Sequence, residues 1–337
     1  MRFLGALGIA TVLVAAAHAQ GQRAGGGPPP DAAPVKGATT GFMHAIHATT
    51  NVDTTLSFYR DVFGLGLQTN PSAFTNPGVP LLTNSPGVSL RVAMLRIPGR
   101  GFNFELTEFT NTERKAAQPK MTDPGAPFMK FIVKDIAAVV AAAKQRGATF
   151  ITTSASAVDG GVFMRDPDGY IVAALQQPPT VETPGNVIGS EMGLVVGEMD
   201  ASMKFWRDMM GWEFTNPSPW AGTPQLNDLF GVPRGTNMRS ARAIVPGSNA
   251  RIEMIQFQNV KGTPFDLRVP DPGASGMAIR VGNIQELLPK LKAAGVRVIS
   301  KDQALVEWDA KTRNVFVKDP NGLLIEVVGT VAPPPVQ

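Results

Sequence analysis

The stretch from Gly41 to Gly66, GFMHAIHATTNVDTTLSFYRDVFGLG, predicts a strand, a helix and a glycine-marked turn into a second strand. Apolar residues recur at helical spacing through its second half and would face a core. Asp53 is the expected helix cap, because its carboxylate can accept hydrogen bonds from the free backbone donors of the first turn. The strand before the helix carries His44, the residue in this stretch best suited to bind a metal.

The same pattern returns from Gly189 to Gly211 as GSEMGLVVGEMDASMKFWRDMMG. Phe58 corresponds to Phe205, an offset of 205 − 58 = 147 residues, and the same offset carries His44 onto Glu191. Two further units each follow one of these, beginning with strands near residues 127 and 276 and ending in hairpins with Asp-Pro-x-Gly turns. Four units of strand, helix and three strands predict an α+β fold built by internal repetition.

Composition limits the function classes. The chain has 337 residues, 43% of them hydrophobic and 17% charged, with a net charge of +4. No run of basic residues accompanies that small excess, so nucleic acid is not an expected partner. The absence of cysteine excludes disulfides and thiol catalysis. The partner we expect is a small molecule, bound by a monomer or a homodimer.

The N-terminus predicts export. Arg2 precedes an apolar run that ends at Ala17-His18-Ala19, which matches a signal-peptide cleavage pattern. The run is too short to span a membrane comfortably. We therefore expect a signal peptide at 1–19, a Gly/Pro-rich linker at 20–39 and a periplasmic or extracellular mature protein without membrane attachment; a retained N-terminal anchor is the alternative. Two domains are expected at 40–178 and 186–330, followed by a disordered tail at 331–337.

The repeat resembles the vicinal oxygen chelate superfamily, which includes glyoxalase I, extradiol dioxygenases, and fosfomycin and bleomycin resistance proteins. The resemblance rests on Ser57-Phe58-Tyr59-Arg60-Asp61, on Phe205-Trp206-Arg207-Asp208, on Lys290-Leu-Lys-Ala-Ala-Gly295 and on the two Asp-Pro-x-Gly turns. It implies four βαβββ modules forming two glyoxalase-like domains, each a curved, incomplete barrel. It covers about Phe42 to Gly329 and indicates the fold more specifically than the reaction.

The resemblance also implies where a divalent metal would bind, on the first and last strands of each module. Carried over by position, the residues able to ligate are His44, Glu105, Glu191, Glu253 and Glu326. The remaining positions hold Phe128, Ala173 and Gly276, which cannot ligate.

The pairing of modules decides which of these residues meet. Pairing in sequence order, which the connection between modules one and two favours, joins Glu191, Glu253 and Glu326 in an oxygen set suited to Mn or Mg. Pairing of modules one and four would instead join His44, Glu105 and Glu326, a set suited to Fe, Mn, Ni or Zn. Sequential pairing is the expected arrangement, and pairing of modules one and four is the alternative.

Arg91 and Arg239 occupy matching third-strand positions, seven residues before Pro98 and Pro246. A guanidinium there could bind a substrate carboxylate or neutralise the glutamates of a cup. A plain surface position explains both arginines equally well.

Two functions are compatible with these residues. The first is an exported metal-dependent lyase, isomerase or dioxygenase acting on a small oxygenated substrate, with Glu253 or Glu326 as a candidate general base. The second is a metal-free protein that sequesters a small ligand, which the three positions unable to ligate would favour.

Overall fold

The computed structural model describes residues 32–99, 102–179 and 184–330. The expected signal peptide, the first part of the linker and the tail lie outside these ranges. The end of the linker is bonded to the body of the protein, because Ala33 N donates to Ser248 O (3.0 Å) and accepts from Gly247 N through its carbonyl (2.9 Å). Over the described ranges, no helix has the length and apolar character needed to cross a membrane.

All four predicted modules are present. Module one comprises β1 (Thr39–Thr49), α1 (Val52–Phe63), β2 (Gly66–Phe74), α2 (Val79–Leu82), β3 (Ser89–Arg96) and β4 (Asn103–Thr110). Module two comprises β5 (Pro127–Val133), α3 (Ile136–Gln145), β6 (Thr149–Phe150), β7 (Gly161–Arg165) and β8 (Ile171–Gln176).

The second half of the chain follows the same order. Module three comprises β9 (Val187–Val195), α4 (Met199–Phe205) continued by a π-helical turn (Trp206–Met210), α5 (Pro224–Phe230), β10 (Asn237–Ile244) and β11 (Arg251–Gln258). Module four comprises β12 (Ser275–Val281), α6 (Ile284–Ala293), β13 (Arg297–Val298), a 3-10 turn (Lys301–Gln303), β14 (Val306–Glu307), β15 (Thr312–Lys318) and β16 (Leu324–Thr330).

The modules do not pair in sequence order, so the expected sequential pairing is wrong. One nine-stranded sheet, which we name cup one, joins modules one and four through the antiparallel strands β1 and β12. A seven-stranded sheet, cup two, joins modules two and three through β5 and β9. The shorter connection (177–186) joins two strands of cup two, β8 and β9, whereas the longer one between modules one and two (111–126) runs from a strand of cup one to a strand of cup two.

Helix α1 forms where the sequence predicted it, with a different cap. Asn51 precedes the helix in an extended conformation and accepts from Thr54 N (3.0 Å), a role we had expected of Asp53. Gly64 ends the helix in the left-handed conformation (φ 67°) that glycine adopts without strain. The helix buries Tyr59, as the matching helix of module three buries Trp206, so both aromatic residues belong to the core.

One segment packs into each cup. In cup one it comes from module one, and in cup two it comes from module three. In cup one, α2 brings Val79 and Leu82 into the apolar cluster that contains Val306 of module four, and the ring of Phe74 stacks on Trp308 at 5.8 Å. In cup two, α5 places Phe230 4.9 Å from the ring of Phe163. Both segments are therefore packed against the interior of their cups.

Candidate functional site

Pairing of modules one and four brings three predicted ligands together in cup one. His44 Nε2 lies 3.4 Å from Glu105 Oε2 and 4.0 Å from Glu326 Oε2. The three side chains come from β1, β4 and β16, which curve around one point of the sheet. The side chains are 3%, 15% and 6% exposed respectively, so Glu105 retains the most contact with solvent.

Each glutamate of this group is oriented by one donor. Thr107 Oγ1 donates to Glu105 Oε1 (2.7 Å), and Asn314 Nδ2 donates to Glu326 Oε1 (2.7 Å). The second oxygen of each carboxyl group is the one nearest His44 Nε2. Donors that hold one carboxyl oxygen and leave the other directed at a shared point are typical of the residues that orient metal ligands.

Burial dominates the electrostatics of this group. It lowers the pKa of His44 to about 4, so the imidazole is neutral at neutral pH. Burial and the neighbouring Glu105 raise the pKa of Glu326 to about 8, against the hydrogen bond from Asn314. Among the described residues, the groups that set the pKa of Glu326 include no lysine or arginine.

The fourth family position of cup one is Gly276, and its backbone is tightly enclosed. A Cβ atom built there would lie 2.1 Å from the carbonyl oxygen of Leu324 on the neighbouring strand. Real Cβ atoms do not approach so closely, so no side chain fits at this position without movement of β12 or β16. Cup one therefore offers three candidate ligands, enough for a metal site with open positions.

Cup two has a different centre. Glu191 and Glu253 lie there, but Lys130 Nζ sits between them at 2.7 Å from Glu191 Oε2 and 2.7 Å from Glu253 Oε2. All three residues are buried. Glu326, which sequential pairing would have joined to these glutamates, belongs to cup one instead.

Two arginines complete the polar group of cup two. Arg242 Nη2 donates to Glu253 Oε1 (2.6 Å), and Arg251 Nη1 lies 4.0 Å from Glu191 Oε1. Burial alone would raise the pKa of Glu191, but Lys130 and the two arginines lower it overall. Both glutamates are therefore paired with cations within the protein.

Arg91 and Arg239, the arginines singled out in the sequence, contact other groups. Arg91 Nη1 lies 3.1 Å from Asp53 Oδ2 and 3.4 Å from Glu108 Oε2, which ties β3 to the start of α1. Arg239 donates to Gln256 Oε1 (2.9 Å) and lies over the ring of Trp220 at 4.9 Å. The cations beside Glu253 are Lys130 and Arg242 instead.

A third polar cluster links the two cups. His47 of β1 lies with Nε2 2.9 Å from Asp166 Oδ2 and 3.4 Å from Asp168 Oδ2, in the Asp-Pro-Asp-Gly turn of module two. Its Nδ1 donates to Ser275 Oγ (2.9 Å). This is the one group of three metal-ligand side chains in the described ranges whose ligand atoms all lie within 4.8 Å of one another.

Hydrogen-bond donors already occupy the carboxylates of this cluster. Tyr59 Oη donates to Asp166 Oδ2 (2.9 Å), while Thr55 Oγ1 and Thr50 N donate to Asp168 (both 2.6 Å). Burial alone would lower the pKa of His47, but the two aspartates raise it to about 9. The cluster is thus an enclosed imidazolium–carboxylate group that joins the cups, with no solvent-facing position for a substrate.

Several of these residues escaped the sequence analysis. Lys130 carried a usable signal, since it is the one charged residue of the fully buried strand Pro127–Val133. A charge in such a strand requires a partner of opposite sign. Thr107 lies two residues after Glu105 on β4, and Asn314 lies on β15, the hairpin partner of the strand that carries Glu326, so both carried a local signal that the sequence prediction did not use.

Comparison with known proteins agrees with this architecture. The profile of the Glyoxalase/Bleomycin resistance protein/Dioxygenase superfamily matches residues 41–173 and 189–327. The chain therefore belongs to this superfamily, and it does so through both halves.

Individual relatives are distant. A lactoylglutathione lyase of Arabidopsis thaliana is 26% identical over 176 residues, which cover 50% of this chain and 54% of that protein. A putative lactoylglutathione lyase of Brassica oleracea var. gemmifera matches to the same extent, so the chain spans about half the length of these relatives.

Two solved structures share the fold. Glyoxalase I from Zea mays superposes with a TM-score of 0.56 at 17% identity, covering 86% of this chain and 92% of that chain. A putative dioxygenase from Bacillus subtilis gives a TM-score of 0.51 at 13% identity, covering 89% and 87%. At these identities the likeness extends to the fold alone.

Proposed function

We propose that this protein is a divalent-metal-dependent enzyme acting on a small oxygenated substrate as a lyase, isomerase or dioxygenase, with its metal in cup one. The observation that carries the proposal is the convergence of His44, Glu105 and Glu326, two of them oriented by their own donors. A neutral imidazole and two carboxylates form a mixed nitrogen and oxygen set suited to Fe, Mn, Ni or Zn.

Each residue of this group would have a distinct role. His44, Glu105 and Glu326 would hold the metal, which when bound polarises substrate oxygens and stabilises negative charge on them. Thr107 and Asn314 would fix the carboxylates in position. Of the two glutamates considered as general base, Glu326 suits the role better, because both oxygens of Glu253 are engaged by Lys130 and Arg242.

The first prediction is metal content. Protein purified without chelators, or dialysed against Mn²⁺, is expected to hold one ion per chain by elemental analysis. Glu326→Gln and His44→Ala should lose it, because each removes one of three ligands. Circular dichroism and the unfolding midpoint report whether each variant remains folded.

The matched control removes the other cluster able to bind a metal. The double variant His47→Leu/Asp168→Asn should keep the same metal content as the wild type. Loss of the ion in this control, with retention in Glu326→Gln, would move the metal to the cluster between the cups and contradict the proposal.

A metal-free ligand-binding protein is the second candidate. Gly276 at the fourth ligand position and the apolar filling of cup one by Phe74, Val79 and Trp308 favour it. A wild type that holds no metal after dialysis against Mn²⁺, Fe²⁺, Ni²⁺ and Zn²⁺ would make this function the better account.

We also propose that the protein is exported after cleavage behind Ala19. The support is the sequence of the N-terminus alone, with its basic residue, apolar run and small residues before the cleavage position. Sequencing the N-terminus of protein expressed in full should give Gln20 as the first residue. A mature protein that still begins at Met1 would contradict export by this route.

A further inference from the structure

We propose that Lys130 takes the place of the metal ion in cup two, so that this cup is a built-in, metal-free counterpart of cup one. The ammonium group lies between the same two family positions that in cup one are His44 and Glu105. The proposal concerns cup two and does not require a metal in cup one, although one arm of its test rests on the proposed function.

The internal repeat identifies the residue that corresponds to Lys130. Asp135 caps α3 and Asn283 caps α6, an offset of 283 − 135 = 148 residues. The same offset carries Lys130 onto Ala278, which is buried in cup one. Where cup two has a lysine, cup one has a methyl group.

Strand register places both residues beside their centres. Ala278 lies opposite His44 on β1, and Lys130 lies opposite Glu191 on β9, the residue that corresponds to His44. The parallel neighbour of Ala278 is Glu326, whereas the parallel neighbour of Lys130 is Ala173. Cup two thus lacks one carboxylate and gains one ammonium at adjacent positions.

The contacts match those expected of a substitute cation. Lys130 Nζ is 2.7 Å from one oxygen of each glutamate, and Arg242 holds the other oxygen of Glu253. In cup one, Thr107 and Asn314 each donate to the Oε1 atom of one glutamate, and the Oε2 atoms of both glutamates lie nearest His44. A divalent ion does not fit beside a buried ammonium, because the two charges would repel one another at close range.

The apolar surroundings keep the arrangement permanent. The ring of Phe128 lies over Gly193, two cross-strand pairs along from Lys130 and Glu191, and an added Cβ at Gly193 would be 1.9 Å from that ring. Two carboxylates buried there need a cation at all times. Lys130 supplies it from within the chain, which makes cup two independent of metal supply.

The test counts Mn²⁺ ions per chain by equilibrium dialysis and elemental analysis. The wild type should bind one ion, and Glu253→Gln should still bind one. Lys130→Glu, which replaces the ammonium by a third carboxylate beside Glu191 and Glu253, should bind two. Lys130→Glu/Glu253→Gln should return to one.

A reciprocal variant tests the same idea in cup one. Ala278→Lys introduces an ammonium at the matching position and should reduce the count from one ion to none. If Lys130→Glu is unfolded in chelator, Mn²⁺ should restore its circular dichroism spectrum. A Lys130→Glu protein that stays unfolded with Mn²⁺, together with an Ala278→Lys protein that still binds one ion, would overturn the proposal.

The counts separate this proposal from the proposed function. A wild type without metal and a Lys130→Glu protein with one ion would reject the metal in cup one and support the lysine in cup two. A wild type with one ion that is lost in Glu326→Gln, and a folded Lys130→Glu protein that also binds one, would support the metal in cup one and reject the lysine in cup two. Two ions in the wild type, or loss of its ion in Glu253→Gln, would overturn the substitution.

Discussion

His47 and Asp168 form a charged pair. In the second half of the internal repeat, both members of this pair are replaced together. At the corresponding positions of the second half stand Leu194 and Asn321, both neutral. Asn321 keeps the hydrogen bonds of Asp168, accepting from Gly197 N (3.1 Å) and donating to Ser202 Oγ (3.0 Å). Because both residues change together, we infer that the positive charge of His47 balances the negative charge of Asp168.

Stability should therefore fall with rising pH in the alkaline range. The folded-state pKa of His47 is raised to about 9, above its ordinary value. Its stabilising contribution is fully present below about pH 6.5 and is lost as pH rises through about 9. We expect the free energy of unfolding from urea titrations to drop by on the order of 3 kcal/mol between pH 7 and 10 from this residue.

The control for this pH dependence is His47→Leu/Asp168→Asn. It lacks the titrating pair but keeps Glu326, whose raised pKa also weakens the folded state as pH rises. Subtracting the two urea-titration profiles isolates His47. Identical slopes in wild type and double variant would show that His47 is not charged in the folded protein.

The same pair predicts strong coupling between substitutions. His47→Leu alone leaves Asp168 buried without its cation and should cost about 3–5 kcal/mol of unfolding free energy. Adding Asp168→Asn should recover most of that loss, because the double variant reproduces the Leu194 and Asn321 arrangement. Additive effects of the two single substitutions in a double-mutant cycle would contradict this account.

At the scale of elements, most strands, helices and turns could be predicted, because sequence patterns over a few residues determine them. The order of strand and helix in each module, the glycine ends of helices and the Asp-Pro-x-Gly turns all follow from patterns within a few residues. The cap of α1 was assigned to Asp53 and is Asn51, since both types cap helices and only the backbone conformation separates them. Thr107 orients Glu105 from the same strand and Asn314 orients Glu326 from the neighbouring strand of a hairpin, but spacing alone does not show which hydroxyl or amide donates to a carboxylate.

Gly276 gives an element-scale prediction. The β12 backbone passes β16 so closely that Gly276→Ala should lower the free energy of unfolding by about 1–3 kcal/mol through overpacking. Gly66→Ala, at a strand position where an added Cβ meets nothing within 4 Å, is the matched control and should be nearly neutral. Equal midpoints for both variants in thermal unfolding would show that β12 and β16 can separate, and that a fourth ligand could be accommodated.

At the scale of the whole molecule, the pairing of modules decides the candidate site. Sequence identified His44, Glu105, Glu191, Glu253 and Glu326, yet assigned Glu326 to the wrong cup. The choice between pairings depends on strand contacts between residues far apart in the chain, such as β1 with β12. A domain boundary near residue 180 separates modules one and two from modules three and four, and so cuts through both sheets.

This pairing predicts that neither half of the chain folds alone as a monomer. Separation between Pro179 and Pro184 leaves β1 without β12 and β5 without β9, which exposes unpaired strand edges and the apolar interiors of both cups. Residues 32–179 and 184–330 produced separately should aggregate or self-associate. Produced together, they should co-purify through a tag on one half and elute as a single one-to-one complex in size-exclusion chromatography. A half that elutes as a monomer and unfolds cooperatively on its own would contradict the pairing of modules one with four and two with three.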